Sequence, residues 1–388
     1  MTGHLFLKIP GPTAVPESVM RAMARPLINH RGAEFGAFVK GLLPRVQQVF
    51  RTASGTPIIF PSSGTGATES AVINVLSPGD AVLAFTIGNF SGGFAEIARR
   101  MGVDVTEEKL PWGSGIPADL VHERLAADTG HRFRAVLAIH NETSTGVTTD
   151  LKAVRDAMDR AGHPALLLVD TVSGLGSADF RFDEWGIDVA VAGSQKGLLL
   201  PPGLGVLCVS DKALAAMERV KTPRAYFDWA PMVENNRKGF FPYTPATGLL
   251  FGLEEALNLL FGEGLDNVFA RHARLGEGVR RAVNAWGLEL VAQNPADYSP
   301  VLTAVYTPEG IDADKLIALT ESRLNLALGN GLGPLGGRAF RIGHLGWTNE
   351  VETLGTLAGV ELGLRMMGAD IVPGSGVAAC QTYLLETA

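Results

Sequence analysis

The sequence predicts an α/β chain: a mainly parallel sheet flanked by helices, followed by a small C-terminal α+β domain. Three observations predict it. From Pro57 to Val209, short apolar runs alternate with helix-period segments, the pattern of parallel strands covered on both faces. Five polar clusters sit just past the carboxyl ends of these runs: Ser63-Gly64-Thr65, Phe90, Asn141 to Thr145, Asp170 and Lys196. Open α/β sheets bind ligands at that edge. Beyond Asp211 the pattern shifts to longer helical segments with a few short strands.

Pro and Gly in Ile9-Pro10-Gly11-Pro12-Thr13 predict turn and extended chain. Glu17 to Met23 reads as a short helix, and Asn29-His30-Arg31-Gly32 as a polar loop. Phe35 to Phe50 has a helical period, with a kink or break expected at Pro44. Strands follow at Ile58–Phe60, Ala81–Phe85, Val103–Glu107, Ala135–Ile139, Ala165–Val169, Val189–Ala192 and Gly205–Val209. Helices are expected after Gly66, after Ser91, over Pro117–Ala127 and over Leu151–Ala161. Phe251–Phe261 and Leu265–Trp286 read as helices, the second linking into the small domain. There, strands at Leu288–Leu290, Val301–Tyr306 and Ala339–Gly343 accompany helices at Ala313–Arg323 and Glu350–Met367. The boundaries follow: an arm over 1–13, a large domain over 14–265 and a small domain over 266–388.

With 388 residues, 46% hydrophobic and 19% charged, the chain can bury a large interior. A net charge of −7 without a long basic run argues against a nucleic-acid groove. No apolar run approaches the ~20 residues of a membrane span, and the N-terminus lacks a secretory pattern. The two cysteines, Cys208 and Cys380, make neither a disulfide framework nor a metal cluster. A soluble protein in a reducing, cytoplasmic compartment is expected.

Lys196 ends an apolar run in a stretch with no other charge between Asp188 and Asp211. A desolvated lysine gives up its proton readily, and its neutral amine attacks carbonyls to form Schiff bases. Taken alone, a surface loop lysine is the ordinary alternative. Asp170 follows Leu166-Leu167-Leu168-Val169, which sets its carboxylate at the mouth of a dry crevice. There it needs a cationic partner, and a protonated pyridine nitrogen is one; a helix cap or an arginine pair is the alternative. Ser63-Gly64-Thr65-Gly66 opens a helix, where backbone amides cradle phosphate, although a capping serine is common. Phe90 can stack on a planar ring or sit in the core. Together these residues describe a pyridoxal phosphate site. No nucleotide signature competes: there is no P-loop pattern, and Gly64-Thr65-Gly66 lacks the third glycine of a dinucleotide loop.

The chain resembles class V aminotransferases of fold type I, in particular the serine–glyoxylate and alanine–glyoxylate branches. The resemblance rests on Pro10-Gly11-Pro12-Thr13, Ser63-Gly64-Thr65-Gly66, His140-Asn141-Glu142-Thr143-Ser144-Thr145-Gly146-Val147, Val169-Asp170, Gly193-Ser194-Gln195-Lys196-Gly197, Phe241-Pro242-Tyr243-Thr244-Pro245 and Phe340-Arg341-Ile342-Gly343-His344. The terminal Pro373-Gly374-Ser375-Gly376-Val377-Ala378-Ala379 is similar to the serine–glyoxylate branch and a related aspartate–glyoxylate branch. Phe90 and Thr65 stand where the alanine–glyoxylate members carry Trp and His.

The resemblance implies pyridoxal 5′-phosphate held by Lys196, with Asp170 on the pyridine nitrogen. Ser63, Gly64, Thr65 and Gln195 would hold the phosphate, with Thr244 reaching in from the other subunit. Phe90 would stack on the ring, Thr143 would reach its oxygen, and Val172 would line the cofactor site. Arg341 would clamp the substrate carboxylate. Gly11 is placed beside the substrate, and Arg31 is either plain solvated loop or a contact to the far end of an acidic or hydroxylated amino donor. No metal is implied. The implied reaction moves an amino group to glyoxylate, with serine as donor and aspartate or alanine as the alternatives. Small-molecule substrates and a homodimer with shared sites, alone or paired into a tetramer, are the implied partners.

Overall fold

We describe a computed structural model over residues 3–388. The first strand, β1 (Phe6–Lys8), belongs to a different sheet from the seven strands of the large sheet. Helices α1 (Glu17–Met23) and α2 (Ala33–Phe50) come next. α2 runs through Pro44 without a break. Pro44 removes one backbone bond; burial of Phe35, Val39, Leu42, Val46 and Phe50 along one face holds the helix together.

The large sheet is built in chain order from β2 (Thr56–Ser62), β3 (Ala81–Thr86), β4 (Asp104–Lys109) and β5 (Phe133–Ile139). A two-residue hairpin intervenes, β6 (Asn141–Glu142) with β7 (Val147–Thr148). Then come β8 (Leu166–Asp170), β9 (Val189–Gly193) and β10 (Gly203–Val209). The spatial order is β2-β10-β9-β8-β5-β3-β4. The β3–β4, β3–β5, β5–β8 and β8–β9 pairs are parallel. β10 lies antiparallel to both β2 and β9, so it is the reversed strand of an otherwise parallel sheet. β8 and β9 are buried along their whole length. They therefore read as continuous apolar runs rather than alternating ones.

Between the strands run α3 (Gly64–Val75), α4 (Asn89–Arg100), α5 (Ala118–Ala127) and α6 (Leu151–Arg160). α7 (Asp211–Met217), α8 (Trp229–Lys238) and α9 (Thr247–Glu263) follow β10. α10 (Leu265–Ala285) then passes from one core to the other. Its Val268 and Phe269 pack with the large sheet, while Leu275, Val279 and Val283 pack in a second core with Phe340, Ile342 and Leu357.

The second core covers a four-stranded sheet of β11 (Leu302–Tyr306), β12 (Leu326–Asn330), β13 (Ala339–Gly343) and β1, ordered β1-β12-β13-β11. β1 pairs parallel with β12, Phe6 opposite Leu326. Helices α11 (Ala313–Leu324), α12 (Glu350–Met366) and α13 (Ser375–Glu386) complete it. The segment expected as a strand at Leu288–Leu290 makes only one isolated bridge, Leu290 to Val305. Cys208 and Cys380 are free and buried, and burial raises both thiols above their ordinary range. Among the described residues, no helix is long and apolar enough to cross a membrane.

Candidate active site

β9 delivers Lys196. The turn after it is pinned by Ser194, whose Oγ donates to the Pro201 carbonyl at 2.7 Å and accepts from Leu204 N–H at 3.1 Å. Lys196 is partly exposed, through a cleft, while the strand behind it is buried. Its ammonium donates to the Pro10 carbonyl at 2.5 Å. Loss of solvation, helped by the Arg341 charge and opposed by Asp170, brings its pKa down to about 8. Thr13 holds the N-terminal segment over this loop, its N–H on the Gln195 carbonyl and its hydroxyl on the Lys196 carbonyl. Gly11 has φ +129°, and a Cβ there would overlap the Lys196 side chain. Only glycine lets the arm lie against the lysine.

The neighbouring strand β8 delivers Asp170. One carboxylate oxygen accepts from Val172 N–H at 2.8 Å. Burial pushes the carboxyl up to about 7; the Glu142 charge adds to this, and the Val172 bond and Lys196 oppose it. An acid held this way is stabilised by a cation placed against it.

Ser63 caps α3, its Oγ accepting from Gly66 N–H at 3.2 Å. Gly64 and Thr65 hold the first two helical N–H groups, which no helical carbonyl can reach, and both residues line the cleft. A Cβ on Gly64 would come to 2.8 Å from Val172, so a larger residue would close the approach. Phe90 stands in the first turn of α4, 39% exposed, and lines the cleft.

The cleft is about 450 Å³, within the usual range for small-ligand sites. It gathers Gly11, Ser63, Gly64, Thr65, Phe90, Thr143, Asp170, Val172, Gln195 and Lys196. Arg341 stands just outside this lining on β13. It donates to the Asn330 carbonyl at 2.8 Å and to the Thr143 carbonyl at 2.9 Å. Burial lowers its pKa to about 10, so it stays charged at neutral pH. Arg31 and Thr244 are not brought to this cleft. Arg31 is exposed in its loop, and the Thr244 hydroxyl lies 3.5 Å from His30 Nε2.

Asn89, Asn141 and Ser173 also line the cleft without having been singled out as site residues. Asn141 donates to Ser173 Oγ at 2.9 Å and accepts from Ser299 and Thr148 hydroxyls. Its place in the polar run after β5 was the available signal. His140, just before it, is fully enclosed, and burial lowers its pKa to about 4. A pyridoxal phosphate fits these residues. The cleft offers free amides for a phosphate, an aromatic face and an acid for a ring nitrogen. The buried Gln195 Oε1 has no hydrogen-bond partner among the described residues.

A strand-end lysine and a strand-end acid sharing one cleft of a parallel sheet define a class of cofactor-dependent transferases. The chain belongs to the class-V aminotransferase family, whose model matches residues 5–333. It is 50% identical, over 99% of its length and 96% of the relative's, to a serine–glyoxylate aminotransferase of Methylorubrum extorquens. It is 47% identical to an L-aspartate–glyoxylate aminotransferase of Paracoccus denitrificans, over 100% of this chain and 98% of that one. The fold matches a pyridoxamine–pyruvate aminotransferase from Mesorhizobium loti with a TM-score of 0.94, at 27% identity and covering 100% and 98% of the two chains. The mainly parallel α/β fold expected from the sequence is therefore the fold type I architecture of this family.

Proposed function

We propose that this chain is a pyridoxal 5′-phosphate-dependent transaminase that passes the amino group of L-serine to glyoxylate, giving hydroxypyruvate and glycine. One observation carries the proposal. Lys196 and Asp170 end adjacent strands and line one cleft, in a chain half identical over its whole length to a serine–glyoxylate aminotransferase. Aspartate as donor is the second reading, favoured by the 47% identical aspartate–glyoxylate relative.

When bound, the cofactor supplies an aldehyde for an amine and a ring that withdraws electrons. Lys196, with its lowered pKa, offers a neutral amine near neutral pH. Lys196 would be the group that carries a proton to and from the substrate Cα. Asp170 would keep the pyridine nitrogen protonated. Ser63, Gly64, Thr65 and Gln195 would hold the phosphate, and Phe90 would cover one ring face. Val172 would pack beside the ring, and Thr143 would reach its oxygen. Arg341 holds the α-carboxylate of donor and acceptor in turn, and Gly11 leaves room beside the lysine. Both half-reactions use one site, so ping-pong kinetics follow.

The proposal extends to assembly. Thr244 and Arg31 are exposed outside their own chain's cleft, which supports a homodimer in which each supplies the partner's site. The division into an arm over 1–13, a large domain over 14–265 and a small domain over 266–388 is part of the same reading. Two free thiols accord with a reducing, cytoplasmic setting.

The test is a panel of amino donors with the purified protein, with glyoxylate and then pyruvate as acceptor. Serine with glyoxylate is expected to give the highest kcat/KM, with parallel double-reciprocal lines. Preference for aspartate would establish the second reading. No transamination of any donor would overturn both.

A further inference from the structure

Glu142 is wholly buried and is not itself among the residues that line the cleft. We propose that it is a positioning residue of this site: its carboxylate anchors the start of α4, and so fixes the ring of Phe90 over the cofactor. The proposal rests on the transaminase reading above.

An enclosed carboxylate is costly unless its lone pairs are satisfied. Here they are. One oxygen accepts from Ser91 N–H and Ser91 Oγ, both at 2.9 Å. The other accepts from Ser144 N–H at 3.1 Å, Ser144 Oγ at 2.6 Å and Phe90 N–H at 3.3 Å. Ser144 Oγ in turn accepts from Asn89 N–H at 3.0 Å. The first N–H groups of a helix need partners from outside it, and a negative charge is favoured there. The residue before α4 is Gly88, which has no side chain with which to cap. Glu142 takes that role from another loop. The approach requires Gly88, because any side chain there would run into Glu142 and Ser144.

The loop that supplies Glu142 also supplies Thr143, whose carbonyl receives Arg341. One carboxylate thus locks the stacking helix to the loop that meets the carboxylate clamp. Its charge also acts on Asp170 and on Arg341, raising the pKa of each.

The test is Glu142→Gln, alone and with Phe90→Ala. Each carboxylate oxygen receives a backbone N–H, so either orientation of the glutamine amide sets NH₂ against a donor. Pyridoxal phosphate titrated into cofactor-free protein should bind at least tenfold more weakly to E142Q, with a reduced visible circular dichroism band. Adding E142Q to F90A should cost little more, because both act through one ring. If E142Q does not fold, Ser144→Ala deletes one donor and reads the same coupling. Cofactor affinity unchanged by E142Q, or losses that simply add to those of F90A, would overturn the inference while leaving the transaminase reading intact. A wild-type protein that takes up no pyridoxal phosphate would overturn both.

Discussion

Arg341 Nη1 donates to the carbonyl oxygen of Thr143 at 2.9 Å, across 198 positions of sequence. β13 of the four-stranded sheet is thereby tied to the loop after β5 of the seven-stranded one. The guanidinium also holds the Asn330 carbonyl. Its orientation is fixed before any substrate arrives, and fixed donors lose little entropy on binding.

Arg341→Lys tests that arrangement. A lysine keeps the charge but not the planar fork. KM for the amino donor and for glyoxylate should rise together, by roughly 10- to 100-fold, as expected for loss of one charge-assisted bond. A rise for only one of the two substrates would show that donor and acceptor carboxylates bind elsewhere.

Lys196→Ala should abolish transamination. Borohydride reduction of the loaded wild-type protein, followed by peptide mapping, should place the label on the peptide holding Lys196, and the Lys196→Ala protein should carry none. A label on any other lysine would remove the central assignment.

Asp170 gives the cofactor-free protein a pH-dependent stability. Its pKa is raised to about 7 in the fold, against an ordinary 3.8. The folded state therefore binds the extra proton between these values. Stability from this group is full below about pH 4 and is lost as pH rises to about 7. The loss is up to about 4 kcal/mol at ~1.4 kcal/mol per unit. Asp170→Asn should remove this slope from denaturation curves of the cofactor-free protein. An unchanged slope would mean that the carboxylate is better solvated than its burial indicates.

His272 predicts the opposite trend in acid. It is buried in α10, Nδ1 on the Ser177 carbonyl at 2.8 Å and Nε2 accepting from Gly346 N–H at 3.0 Å. Those partners call for a neutral ring, and burial lowers its pKa to about 4. Here the unfolded chain binds the proton first, so stability falls as pH drops from about 6.5 to 4. His272→Ala should destabilise the protein at pH 7 by about 2–4 kcal/mol, leaving two buried backbone groups unpaired. It should also flatten the acid limb.

The strands of the large sheet were legible because β8 and β9 are buried on both faces and written as unbroken apolar runs. Lys196 and Asp170 stood out for the same reason: each is the first charge after such a run. Glu142 did not, since its partner Ser91 stands in the first turn of α4, 51 positions away, and only the fold brings the two together. β1 and β12 were missed because three and five residues show no period, and their pairing joins opposite ends of the chain. α13 was missed behind its glycines, although Trp286 packs on Gly376 and donates to Glu361. Thr244 was assigned to the site by resemblance and Arg31 from its polar loop, and a single chain holds both away from its own cleft.

β1 has one more consequence, for biosynthesis. Its partner strand is translated about 320 residues later, while domains settle as units as they emerge. The strand that anchors the arm carrying Pro10 and Gly11 onto Lys196 cannot pair on the ribosome until most of the polypeptide has been made. The pocket is thus finished late, and a nascent chain stalled before residue 326 would lack the strand that holds this arm in its sheet.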